Sequence, residues 1–151
     1  MSPFFKKKEF FSVEQKERII AAIRAMEQQT SGEIRVFVEN KNPLVDPVER
    51  AGQVFDKLKM GNTRHRNAIL LYVAVKHREL ALFGDEAIYK LLGEDYWKTA
   101  VNKILKHLRA ENIPEGIVQT IYEVGQVLKE KFPFNERTDI DELPGDIISE
   151  L

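Results

Sequence analysis

The chain contains no cysteine, which removes disulfides, thiolate nucleophiles, iron–sulfur clusters and cysteine-ligated zinc at once. Glycine and proline are scarce, 8 and 6 in 151 residues, too few for a collagen-like or low-complexity chain. Charge of one sign is missing too. Lys and Arg number 23 against 24 Asp and Glu, a formal net charge of −1, so no global positive field draws the chain to nucleic acid or an anionic membrane. The longest apolar run, Ala68 to Val75, is far below the roughly 20 residues that cross a bilayer as a helix. The stretch Met1 to Phe11 is aromatic and basic but lacks the apolar core of a secretory signal. The expectation is a cytoplasmic chain with no membrane insertion and no nucleic-acid partner.

Recognisable catalytic motifs are also absent. There is no Gly-rich phosphate loop ending in Lys-Ser/Thr, no G-x-G-x-x-G after a strand, no H-E-x-x-H and no G-x-S-x-G, so no nucleotide cofactor is expected and the common hydrolase chemistries lose support. His65, His77 and His107 fall on separate segments without ligand spacing; they read as surface histidines, and no zinc is expected. Thr138-Asp139-Ile140-Asp141 superficially matches the acid pair of aspartate phosphotransferases. That chemistry needs both acids held rigidly at a strand end, whereas this run reads as a solvated acidic segment.

What is present, 43% apolar and 31% charged residues, suits one globular domain. Ser12-Val13-Glu14-Gln15 fits a capping box, and Ile19, Ile23 and Met26 then share a face, which predicts a helix over 13–29. Period-two alternation follows over 33–39, with Ile34, Val36 and Val38 on one face and Glu33, Arg35, Phe37 and Glu39 on the other. Asp46-Pro47 starts a second helix whose inner face is read as Val48, Ala51, Phe55 and Leu58. Ala68 to Val75, apolar at every position, predicts a central strand buried on both faces. Lys76-His77 turns it back into an antiparallel strand over 78–83. Short helical segments over 84–92 and from Gly93 follow, the latter burying Trp97, and Pro114 opens a last helix that Phe132-Pro133 closes. This order predicts an α/β fold: a small mixed β-sheet with a right-handed β-α-β crossover and helices packed on both faces, an α/β/α sandwich. Domain limits are 12–133, after an N-terminal extension over 1–11. The segment 134–151 carries six acids against one base, Arg137, and reads as a flexible acidic tail, although its interleaved Ile and Leu residues also suit docking.

Strand direction yields a candidate site. With strands one and two parallel and strand three returning, one rim of the sheet collects Glu33, Arg35, Arg64, Arg66, Asn67, Asp85 and Glu86. The default reading is a solvated salt-bridge network, with Asp85 as a helix N-cap after Gly84. The functional alternative is an oxygen-rich calcium or magnesium site on Asp85, Asn67 and Glu33, or an anion pocket. The directions taken by Arg35 and Arg66 decide between them.

At Thr30-Ser31-Gly32-Glu33-Ile34-Arg35-Val36, Arg66 to Ala74 and Phe83-Gly84-Asp85-Glu86-Ala87-Ile88, the sequence resembles the TPM domain family over about residues 12–133. The resemblance implies an α/β sandwich. From plant relatives it also implies a metal-assisted acid phosphatase acting on phosphomonoesters, with divalent-cation binding. Carried over to this chain, the ligand positions would be Asn67 and Asp85, with Glu33 as a third member. Many relatives carry Asp-Asn-Gly where Arg66-Asn67-Ala68 stands here, and Arg66 should repel a cation. The reading that results is a divalent-cation or protein-binding module with an unidentified protein partner; the alternative is the phosphatase.

Overall fold

The computed structural model describes residues 10–44, 46–109, 112–135 and 147–149; the stretch Thr138 to Asp141 lies outside the described residues. Local signals in the chain set most element starts. Ser12 and Gln15 exchange hydrogen bonds, the Ser12 N–H donating to Gln15 Oε1 at 2.8 Å and the Gln15 N–H to Ser12 Oγ at 3.1 Å, and helix α1 runs Val13–Glu27 from this capping box. Strand β1 is Glu33–Glu39. Helix α2, Pro47–Lys57, has Asp46 as its cap, accepting from the Val48 N–H at 2.9 Å. Strands β2 (Ala68–Ala74) and β3 (Glu79–Gly84) are joined by a turn in which Arg78 takes φ 51°. Helices α3 (Glu86–Leu92), α4 (Glu94–Arg109) and α5 (Ile113–Lys131) follow, and strand β4 is Ile147–Ser149.

The sheet has the order β3-β2-β1-β4. Strand β1 runs parallel to β2, with Glu33 opposite Ala68 and Glu39 opposite Ala74, and β3 runs antiparallel to β2. Side chains alternate across the pleat, so Ile34, Val36 and Val38 of β1 pack with Ile69, Leu71 and Val73 of β2 against α1, α4 and α5. Phe37, Leu70 and Tyr72 face the opposite way and meet Ala51, Val54 and Phe55 of α2. Helices therefore cover both faces, and the fold is an α/β sandwich. Each wholly buried Ile, Val or Leu in these layers contributes about 1.5–3 kcal/mol of hydrophobic stabilisation.

Four features differ from the sequence reading. Part of the acidic segment 134–151 is structured: Ile147, Ile148 and Ser149 pair in parallel with Val36, Phe37 and Val38. They fill the second edge of β1, which would otherwise leave a row of backbone groups unpaired. The extension over 1–11 is also not wholly outside the domain, because Phe11 is 7% exposed and belongs to the core, with Phe10 packed beside it. The polar face of β1 is not solvated; every residue of the strand is buried, because its charges find partners on neighbouring elements. Finally, Val48 is 50% exposed, and the inner face of α2 is Arg50, Ala51, Val54 and Phe55.

Candidate functional site

The start of β1, the start of β2 and the end of β3 do share one rim. The link from α5 back to β1 fixes it: the Thr30 hydroxyl donates to the Leu128 carbonyl at 3.1 Å and also to that of Phe132, and the Ser31 N–H donates to Phe132 O at 2.8 Å. Asn67, 1% exposed, donates from Nδ2 to Ser31 Oγ at 3.4 Å. Arg66, immediately before β2, adopts φ 51°, a left-handed conformation that costs a non-glycine residue about 1–2 kcal/mol. Its contacts offset that cost. Its carbonyl accepts from the Ala87 N–H at 3.2 Å, and its guanidinium grips Asp85 bidentately, Nε to Oδ2 at 2.7 Å and Nη2 to Oδ1 at 2.8 Å. Asp85 is at once the N-cap of α3, taking the Glu86 N–H on Oδ1 at 2.8 Å. Glu86 Oε1 lies 3.5 Å from Arg66 Nη1 and its side chain is exposed. The hydrogen bonds from Arg66 to Asp85 raise the already high pKa of the guanidinium further.

Two of the three residues assigned to a cation, Glu33 and Asp85, stand in or just after strands that flank β2. Glu33, Asn67 and Asp85 are all buried, yet Glu33 sits opposite Ala68 in the register while the Asp85 N–H donates to the Ala68 carbonyl at 2.9 Å. Two strand spacings, roughly 10 Å, separate the two positions. Arg35 is held by α1 and by its own strand. Only 1% exposed, it donates to Glu27 Oε2 and to the Ile34 carbonyl, each at 2.7 Å, with Glu33 Oε1 3.9 Å from its other terminal nitrogen. Arg66 occupies both Asp85 oxygens itself, so a cation would have to displace it. Among the described residues no three His, Asp or Glu side chains gather as a ligand set.

The rim opens instead into a cleft of about 540 Å³ between α2 and α3. Val48, Phe55, Leu82, Phe83 and Tyr89 give it an apolar floor, and Asp56, Arg66, Asp85, Glu86 and Lys90 supply its charges. The Phe55 and Phe83 rings lie 4.9 Å apart. Tyr89 stacks on Trp97 at 5.7 Å, and the Trp97 Nε1–H donates to the Tyr89 carbonyl at 3.3 Å. A Cβ at Gly84 would come within 2.5 Å of the Trp97 ring, so a glycine there lets the indole that backs Tyr89 seat against the end of β3. Sequence reasoning reached Arg66, Asp85 and Glu86 but not this floor. Its one legible signal was Phe55, which periodicity places on the inner face of the second helix.

The opposite end of the sheet holds a different arrangement. Arg50 of α2 grips Glu39 bidentately, Nε to Oε2 at 2.8 Å and Nη2 to Oε1 at 2.9 Å, and the Tyr72 hydroxyl donates to Glu39 Oε2. Gln53 accepts from Arg50 Nη1. Burial, reinforced by Glu39, pushes the Tyr72 phenol well above its ordinary pKa of 10.0, and the hydrogen bonds to Glu39 raise that of Arg50. Beyond it the Asn42 N–H donates to His77 Nδ1 at 3.2 Å.

Among the described residues no helix is long and apolar enough to cross a membrane. Comparison with curated proteins returns no match. Among solved structures, the chain is similar to the BA42 protein of the psychrophilic bacterium Bizionia argentinensis, with 39% identity and a TM-score of 0.86, covering 96% of this chain and 99% of that one. The fold is also shared with the N-terminal domain of the cg2496 protein from Corynebacterium glutamicum, at 18% identity and TM-score 0.63 over 84% of each chain. A third likeness is to the N-terminal domain of a protein from P. gingivalis, at 19% identity and TM-score 0.68 over 81% of this chain and 78% of that one. The model of the TPM domain matches residues 5–127, a span that runs from before α1 into α5 and includes both sides of the rim, and the chain belongs to the TPM domain family.

Proposed function

We propose that the protein is a non-catalytic binding module that takes a segment of a partner protein in the rim cleft. One observation carries this reading: a single cleft of about 540 Å³ joins an aromatic and aliphatic floor to the Arg66–Asp85 pair. Apolar walls with a few placed polar groups are what ligand sites present. Val48 and Tyr89, the exposed residues of that floor, supply area that binding would remove from water. Asp85, with both oxygens on Arg66, holds that guanidinium in place and is not open to orient a water.

The burial of Asn67 and Asp85 at neighbouring strand ends favours a second reading, a calcium or magnesium ion held by their oxygens. It requires Arg66 to leave Asp85. The phosphatase reading requires this too, because Asp85 would have to orient the attacking water while the bound cation polarised a phosphoryl oxygen. Backbone amide shifts separate the three. Wild-type protein is titrated with calcium, magnesium, phosphate and a capped Ala-Leu-Gln-Leu-Ala peptide. The ions are expected to leave Asn67, Gly84 and Asp85 unmoved, and the peptide to shift Phe83, Gly84 and Tyr89. Arg66→Asp, which restores the acid of many relatives, is expected to gain calcium binding. Calcium shifts at Asn67 and Asp85 in the wild type would install the cation reading instead. Phosphate release from a phosphomonoester, lost in Asp85→Asn, would install the phosphatase.

A further inference from the structure

We infer that the partner segment received at the rim is acidic, its carboxylates held by the basic loop between α2 and β2; this rests on the binding-module reading. From the last residue of α2 to the start of β2, Lys57, Lys59, Arg64, His65 and Arg66 are all exposed, and no acid lies among residues 57–67. In a chain of formal net charge −1 this is a local reversal of sign. The loop borders the cleft directly, since Gly61 and Arg66 line it and a Cβ at Gly61 would meet Arg66 Nη2 at 3.4 Å.

The charges are displayed on an anchored backbone. The Met60 N–H donates to the Phe55 carbonyl and the Asn62 N–H to the Lys59 carbonyl, each at 3.1 Å, and Met60 is 2% exposed. Lys59, just past the Leu58 cap of α2, has φ 56° and Arg66 enters β2 with φ 51°, left-handed positions that glycine fills most easily. Both carry a cation here. The acids of the cleft do not cancel the surplus. Asp85 is neutralised by Arg66, and Glu86 also lies within 3.5 Å of Arg66. In formal charge, Asp56 and Glu86 are then set, among these described residues, against Lys57, Lys59, Arg64 and Lys90. Complementary rim charges steer and select partners, and the apolar floor beside them favours a peptide with aliphatic side chains over a bare polyanion.

The test uses the full chain and three capped peptides, Glu-Leu-Glu-Leu-Glu and its Gln and Lys counterparts, with amide shifts read at Gly61, Gly84 and Tyr89. The acidic peptide is expected to bind about tenfold tighter than the Gln peptide, and the Lys peptide weaker than both. That preference is expected to shrink to about twofold in Lys57→Gln/Lys59→Asn, and likewise for the wild type in 0.5 M NaCl, where exposed charges are screened. The salt arm keeps the test valid should the variant fold poorly. Equal binding of the three peptides would overturn the inference and leave the cleft reading standing, whereas no shift at these amides from any peptide would overturn both. Tighter binding of an oligothymidylate than of the acidic peptide would reassign the loop to nucleic acid. Concentration-dependent shifts without peptide would assign the face to a second copy of the chain. Either result overturns the inference.

Discussion

Two arginine–carboxylate pairs of nearly identical geometry stand at opposite ends of this sheet, and they do different work. Arg50–Glu39 is buried on both sides, each side chain about 9% exposed, and both oxygens of Glu39 accept from Arg50, with Oε2 also accepting from Tyr72. Arg66–Asp85 joins a buried acid, 5% exposed, to an arginine that is 44% exposed and lines a cleft. A pair buried on both sides cannot open without stranding a charge, so it clamps α2 to β1. A pair buried on one side leaves its arginine able to return to water, so it can exchange partners. Geometry alone does not distinguish a staple from a latch; burial of the second partner does.

The sharpest way to break this comparison is Glu39→Ala. It leaves Arg50 buried without its acid, and the expected loss is about 3 kcal/mol in urea denaturation; a loss below about 1 kcal/mol would mean that Arg50 escapes to solvent as Arg66 can. Asp85→Ala is expected to cost only about 1 kcal/mol, chiefly the helix cap, because the freed Arg66 is already half in water. Equal losses in the two variants would erase the distinction. The smallest effect lies in alkaline solution. The Tyr72 phenol has a raised pKa in the fold, so above about pH 10 the unfolded chain gives up this proton while the folded chain keeps it. Stability from this group is therefore full below about pH 10 and lost as pH rises beyond it. Thermal melts between pH 9 and 11 should fall less steeply for Tyr72→Phe than for the wild type.

Features set within a few residues were legible in the sequence. The Ser12-to-Gln15 capping box, the Asp46-Pro47 start and the uniformly apolar β2 each announce themselves through neighbours along the chain. So did the rim, because two parallel strands and a returning one fix which ends coincide. What escaped depended on partners distant in sequence. The charged face of β1 looks solvent-facing until Glu27 and Arg50 come from α1 and α2 to meet Arg35 and Glu39. Arg66 and Asp85 were both named, one as a repeller of cations and the other as a ligand, but their direct bond joins positions 19 apart and no periodicity reports it. Strand β4 is three residues long, too short to show alternation amid acids.

The place of β4 in the sheet sets an order in time. Among the described strands, β1 is synthesised first and the neighbour on its outer side, at Val36 to Val38, last. Until then β1 can pair only with β2, and its free edge, flanked by side chains that end up buried on both faces, is a template for another nascent chain. Closing it is a long-range contact whose loop entropy is paid late. Translation that stalls between α5 and β4 would therefore release a domain with its helices formed and one sticky edge, prone to pair with its own kind.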